Sequence, residues 1–275
     1  MDIAVLGALD VREHGTPVVP TAPKARQVLA LLALQANRVV PVASLSEELW
    51  GRTPPRSART TLQTYVLQLR ELIEAALPQG DPRTAKDVLT TAPGGYLLNT
   101  AGGRSDVREF EHRTARGYRA MEAGDHPGAA RELRGALALW TGAALGDVQT
   151  GPQLEMHRRR LEEIRLCALD RRIEADLRLG RHRELLAELT VLVLRHRTHE
   201  TLHGQFMLAL HRSGRRGEAL EVYRRLRGAL ERELGMEPSA ALRRLQRSIL
   251  ASAPELALRQ APAGAGPALP AQLSR

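Results

Sequence analysis

The stretch 41-PVASLSEELWGRTPPRSARTTLQTYVLQLRELIEAA-76 decides the fold. Ser44 and Glu47 have the spacing of a capping box, so a short helix is expected to run to about Trp50, with Gly51 ending it. The loop RTPPR follows, and Ser57 stands ready to cap a longer helix over 58–77. In that helix Leu62, Val66, Leu69, Leu72, Ile73 and Ala76 recur at helical spacing and define one apolar face. A short helix, a tight loop and a longer helix make a helix-turn-helix, whose second helix fits the major groove of DNA. Its leading end and outward side carry Arg56, Ser57, Arg59, Thr60, Thr61, Gln63, Thr64, Tyr65 and Gln68. Arg binds guanine with two hydrogen bonds, Gln binds adenine, and Thr meets a thymine methyl or a phosphate. Residues 51–70 hold Arg52, Arg56, Arg59 and Arg70 and no acid. A merely solvated helix would mix Glu with Arg, so this face is expected to contact DNA.

Working outward, residues 2–20 alternate loosely between apolar and polar, punctuated by His14-Gly15 and Pro17, and read as short strands. A mostly buried helix is expected over 23–36, with Pro23 in its first turn and Asn37 as a stop. Lys24 and Arg26 near its start suit a phosphate or plain solvent equally. Downstream, Val88–Thr91, Ala92-Pro93-Gly94-Gly95 and Tyr96–Leu98 read as a β-hairpin, a wing from which Thr90 and Thr91 reach phosphates. Gly94, Gly95 and Tyr96 are assigned to turn and packing. The DNA-reading domain is therefore expected at 1–101, with Ala101-Gly102-Gly103 as a linker.

From 105 to 252 the periodicity is helical throughout, and it repeats. Gly180-Arg181 and Gly214-Arg215 lie 34 residues apart, and Ala175, Glu184, Leu186 and Leu189 match Ala209, Glu218, Leu220 and Tyr223. That period is the tetratricopeptide one. Gly124-Asp125 opens a looser copy. Residues 253–275, rich in Ala, Pro and Gly, read as a disordered tail. The fold expected is mainly α: an N-terminal winged helix-turn-helix with short strands, then an all-α tetratricopeptide-like domain.

Composition agrees. The 275 residues are 43% hydrophobic but 3% aromatic, which favours helices with Leu- and Ala-built cores. A net charge of +9 suits an anionic partner. The bias of 38 Arg to 2 Lys, spread over both halves, also fits plain codon usage. Residues 1–104 hold 11 Lys+Arg against 9 Asp+Glu, so overall charge does not locate the DNA site. One cysteine, Cys167, excludes an internal disulfide or a cysteine-based metal cluster; it is assigned to a buried helix face. Trp50 and Trp140 are assigned to packing, and Arg158-Arg159-Arg160 to a solvated face or an accessory contact. The start of the chain does not resemble a signal peptide, and no run of apolar residues is long enough to span a membrane, so a cytoplasmic, nucleoid-associated protein is expected.

PKARQVLALLALQANRVV, LSEELWG, PPRSARTTLQTYVLQLRELI and TTAPGGYLL, in this order, resemble the winged helix of the Streptomyces antibiotic regulatory protein family, itself similar to that of OmpR/PhoB-type response regulators. RRRLEEIRLCALDRRIEADLRLGRHRELLAELTVL and GQFMLALHRSGRRGEALEVYRRLRGALERELGMEPSAALRRLQRSIL resemble the bacterial transcriptional activation domain that accompanies it. The resemblance runs from residue 2 to about 252. It implies an activator of antibiotic or other secondary-metabolite genes. Such a protein binds direct repeats of double-stranded DNA near the −35 element, pairs as a homodimer there, and recruits RNA polymerase through its sigma factor. It also puts Arg56, Arg59, Thr60, Thr61, Thr64 and Gln68 in the recognition helix and Thr90–Tyr96 on the wing. The absence of an ATPase loop implies the small type, and the absence of a receiver domain implies no phosphorylation switch. No cofactor and no catalysis are expected.

The chain departs from the family at 199-HETLH-203, where Pro and Arg-rich residues would be expected. This segment fits the H-E-x-x-H zinc-protease motif, with His196 close by. The Gly and His that a metzincin adds are missing from 205–210, and Glu218, a conceivable third ligand along with Glu221, is a repeat position. A helix start is the plainer account, and a zinc hydrolase is the alternative function.

Overall fold

Three short antiparallel strands open the chain: β1 (Asp2–Ala4), β2 (Asp10–Glu13) and β3 (Thr16–Pro17), in the order β1-β2-β3. The turn between β2 and β3 needs left-handed backbone, which His14 (φ 47°) and Gly15 (φ 82°) supply. The computed structural model describes residues 1–251, so the tail expected at 253–275 lies outside the described residues. Contacts divide the chain into two compact units, Met1–Arg172 and Ile173 onward.

In the first unit, α1 (Pro23–Leu34) starts on Pro23 and is buried almost all round. It stops short of Asn37, whose φ of 64° breaks the helix. Strand β4 (Val39–Pro41) leads into α2 (Val42–Trp50), then α3 (Ala58–Ala76) and the short α4 (Ala85–Val88). The wing is β5 (Leu89–Ala92) and β6 (Gly95–Leu98), joined through Pro93-Gly94. Strand β4 pairs with β6 to give the order β4-β6-β5, a third strand that its three residues did not announce. This sheet corrects the start of α2. The Val42 amide donates to the Gly94 carbonyl at 2.9 Å, so the helix begins where the strand ends. Pro41 takes the cap position, and Ser44 lies inside the helix rather than capping it.

Residues 101–104 are a tight turn rather than a loose linker. The Ile3 amide donates to the Arg104 carbonyl at 2.8 Å, and the Arg104 amide to Asp2 at 2.8 Å. A side chain on Gly103 would lie 1.8 Å from the Met1 carbonyl oxygen. Helix α5 (Asp106–Glu122) follows directly, and its Asp106 carboxylate accepts the amides of Val5 and Leu6 at 2.7 and 2.8 Å. Helices α6 (His126–Leu137) and α7 (Pro152–Arg178) complete this unit as far as Arg172. Trp140 meets Phe110 edge-on at 5.5 Å and carries the Arg165 guanidinium 4.5 Å above its ring, a packing role. Leu161 and Ala168 share the buried side of α7, so Cys167, a helical step away from it, is exposed; the buried position expected for it is corrected.

The second unit takes the end of α7 and adds α8 (Leu186–Arg195), α9 (Glu200–Arg212), α10 (Arg216–Leu234) and α11 (Ala240–Leu250). The repeat reading holds here in detail. Gly180 (φ 77°) and Gly214 (φ 81°) make equivalent turns, Ala175 and Ala209 are fully buried, and Leu189 and Tyr223 are buried at equivalent places. Among the described residues, no helix is long and apolar enough to cross a membrane.

Candidate nucleic-acid interface

Helix α3 owes its orientation to its apolar seam. Leu62, Val66, Leu69, Ile73 and Ala76 are buried and Leu72 is half-buried, which turns the opposite side to solvent. On that side Arg56, Ser57, Arg59, Thr60, Gln63, Thr64 and Gln68 are exposed, while Thr61 and Tyr65 are half-buried at its margin. Tyr65 packs against the core. Ser57 occupies the cap position, but its side chain makes no capping bond.

Arg70 joins the helix to the wing. Its guanidinium donates to the Leu89 carbonyl at 3.0 and 2.8 Å and to the Thr91 hydroxyl at 2.8 Å. Sequence reasoning counted Arg70 as one more surface cation. The clue to its role is position, since it lies next to Leu69 and Ile73 on the buried side of the helix. Thr91 accepts from Arg70 and keeps its own proton to donate, whereas Thr90 donates to the Asp87 carbonyl at 3.2 Å. Arg70 thus brings the Thr91 hydroxyl beside α3, whereas the Thr90 hydroxyl is turned to the backbone of α4.

Lys24 and Arg26 do not join them. The Lys24 ammonium donates to the Leu49 carbonyl at 2.6 Å, near the negative C-terminal end of α2, and Arg26 pairs with Asp147. Both cations are engaged within the molecule, whereas the sequence offered a phosphate or plain solvent equally.

Behind the interface, Glu48 of α2 is 2% exposed and accepts the amides of Gly151 and Leu154 at 2.5 and 2.9 Å. Burial pushes its carboxyl above the usual range, against the pull of those amides. The helix-turn-helix is thereby fixed to the start of α7.

The HETLH segment is the start of α9. His199 is the N-cap, its Nδ1 accepting the Leu202 amide at 3.4 Å. His203 is 5% exposed, with its Nδ1 3.0 Å from the His199 carbonyl oxygen. The motif's two imidazoles are occupied in capping and packing. Among the described residues no three His, Cys, Asp or Glu side chains gather as a metal site.

Comparison with known proteins gives matches over both halves. The family described as "Bacterial transcriptional activator domain" matches residues 105–250, and "Transcriptional regulatory protein, C terminal" matches 15–98. The regulatory protein DnrI of Streptomyces peucetius is 52% identical over 254 residues, 92% of this chain and 93% of that protein. The regulatory protein AfsR of Streptomyces coelicolor is 37% identical over 92% of this chain and 24% of its own. The transcriptional regulatory protein EmbR of Mycobacterium tuberculosis is 36% identical over 92% of this chain and 64% of its own. A solved structure of EmbR in complex with a low-affinity phosphopeptide superposes with a TM-score of 0.82 at 35% identity, over 91% of this chain and 65% of that one.

Proposed function

The chain belongs to the Streptomyces antibiotic regulatory protein family of transcriptional regulators, and from that premise we propose that it is a sequence-specific DNA-binding activator reading its site with the outward side of α3. The observation that carries this reading is the exposed polar face of the first part of α3, which carries no acid before Glu71, set against a buried apolar seam and braced to the wing by Arg70. Arg59, Gln63, Thr60, Thr64 and Gln68 meet base edges. Arg56, Ser57, Thr61, Tyr65 and Thr91 meet the backbone or support those contacts, with Thr90 shaping the wing. Residues 1–101 are the reader and 105–252 the activation domain. Two copies bind direct repeats near a −35 element, and the helical domain presents a surface to RNA polymerase and its sigma factor. The target is a secondary-metabolite gene cluster, in the nucleoid of the cytoplasm.

The test is a gel shift and footprint of wild type and Arg59→Ala on promoter fragments of the flanking gene cluster, across a salt series. Wild type is expected to protect a pair of direct repeats, with affinity falling by roughly 0.9 log units per log unit of salt for each phosphate contacted. Arg59→Ala is expected to relax specificity at one base pair and weaken binding by about tenfold or more. No shift at any salt rejects the reading.

A further inference from the structure

Leu67 stands 57% exposed on the outward side of α3, one turn beyond Gln63 and Thr64 and beside Gln68. A lone surface leucine needs no explanation. Its neighbour Thr64 makes this one informative. The Thr64 hydroxyl donates to the Thr60 carbonyl at 3.2 Å, so its polar end is used within the helix and its γ-methyl is the group left over. Residues three apart are neighbours on a helix surface. Thr64 and Leu67 therefore form an apolar notch in a strip otherwise made of Arg59, Thr60, Gln63 and Gln68 and bounded at its far end by Glu71.

We propose that this notch receives the 5-methyl group of a thymine in the major groove, which makes Leu67 a specificity-determining residue of the recognition helix. The inference rests on the DNA-binding reading above. Thymine carries an apolar group on its major-groove edge, whereas the other three bases present hydrogen-bonding groups there. Pressed against one of those polar edges, Leu67 would desolvate it and return no hydrogen bond, an unfavourable exchange. Arg56 and Arg59, toward the N-terminal end of the same side, draw the duplex close enough for the contact to form, while Glu71, one turn beyond Leu67, marks the far end of the strip.

The test uses the tightest duplex that the full chain selects from a random-sequence pool, with each thymine replaced in turn by deoxyuridine, which lacks the methyl. Wild type is expected to lose about fourfold in affinity at one position, the value of one buried methyl. Leu67→Ala is expected to bind thymine and deoxyuridine equally there. Thr64→Val keeps the methyl and retains the discrimination, whereas Thr64→Ser keeps the hydroxyl and loses part of it. Wild type indifferent to every replacement, or Leu67→Ala that still discriminates, overturns the inference while leaving DNA binding intact. A Leu67→Ala defect confined to the second of two repeats, without thymine discrimination, would mean that the residue meets a second protein copy, and also overturns it. Failure to select any duplex removes the underlying reading instead.

Discussion

Arg70 shows what one side chain contributes and why its role is hard to read from sequence. Its partners are 19 and 21 residues away, across α4, and periodicity does not report a bond from a helix to a distant strand. The same reason explains Lys24 and Arg26, whose partners lie 25 and 121 residues away. The exposed candidates on α3 needed no such knowledge, because the apolar seam alone says which way the rest must face. Arg70→Ala removes the guanidinium's bonds to Leu89 and Thr91. It is expected to lower stability by about 1.5–3 kcal/mol in urea unfolding, the scale of hydrogen bonds from a charged donor. DNA affinity should fall as well, since the wing loses its brace, yet the salt slope should stay unchanged because no phosphate contact is lost. A slope shallower by about one phosphate would instead make Arg70 a backbone contact. Arg70→Lys is expected to rescue little, since an ammonium lacks the fork that reaches two acceptors.

At the scale of elements, α1, α3, the wing and the helix pairs of the repeat were legible, because each carries its own signal: a 3.6-residue seam, a Pro-Gly turn, or a glycine at a fixed period. Strand β4 was not, since three residues have no period and the strand exists through its pairing with β6. The start of α2 was misplaced for the same reason: the sheet, not Ser44, sets it. The turn at 101–104 looked like a linker by composition, yet Gly103 is there because the Met1 backbone leaves no room for a side chain. Glu48 belongs to this class, joining α2 to the start of α7 across more than a hundred residues. Glu48→Ala would orphan the Gly151 and Leu154 amides, at an expected cost of about 1–3 kcal/mol measured by urea unfolding. Because the substitution also frees the helix-turn-helix from α7, it should weaken DNA binding in a gel shift even where the protein remains fully folded. Unchanged affinity in the folded variant would show that α2 holds its place through its apolar contacts alone.

For the whole molecule, the titrating groups set how stability responds to pH. His203, in the second unit, is pushed below the ordinary imidazole value of 6.5 by burial first and by the charges of His199 and Arg225, against the opposing bond to the His199 carbonyl. His157, in the first unit, is pushed the same way by burial and by Arg160. The unfolded chain therefore takes up protons that the folded one refuses. Their contribution is complete above 6.5 and is lost as pH falls below it. Asp81 does not contribute over that range. The hydrogen bonds and charge of Arg83 pull its carboxyl from 3.8 to about 2, so its stabilisation is present above 3.8 and disappears only as pH falls through that lower value. Glu48 and Asp106, raised by burial, act in the opposite sense, gaining stability from acid as it protonates them. A comparison of about pH 7.5 with about pH 5.5 spans the histidine range and keeps clear of Asp81 and of ordinary carboxylates. The unfolding free energy from urea titration is expected to fall over that interval, by at most about 1.4 kcal/mol per pH unit for each histidine. His203→Gln should flatten the fall, and should do so in the transition of the second unit if the two units unfold separately. A pH dependence left unchanged by His203→Gln would mean that this imidazole titrates alike in the folded and unfolded chains, charged in a place where no carboxylate is among the causes of its shift.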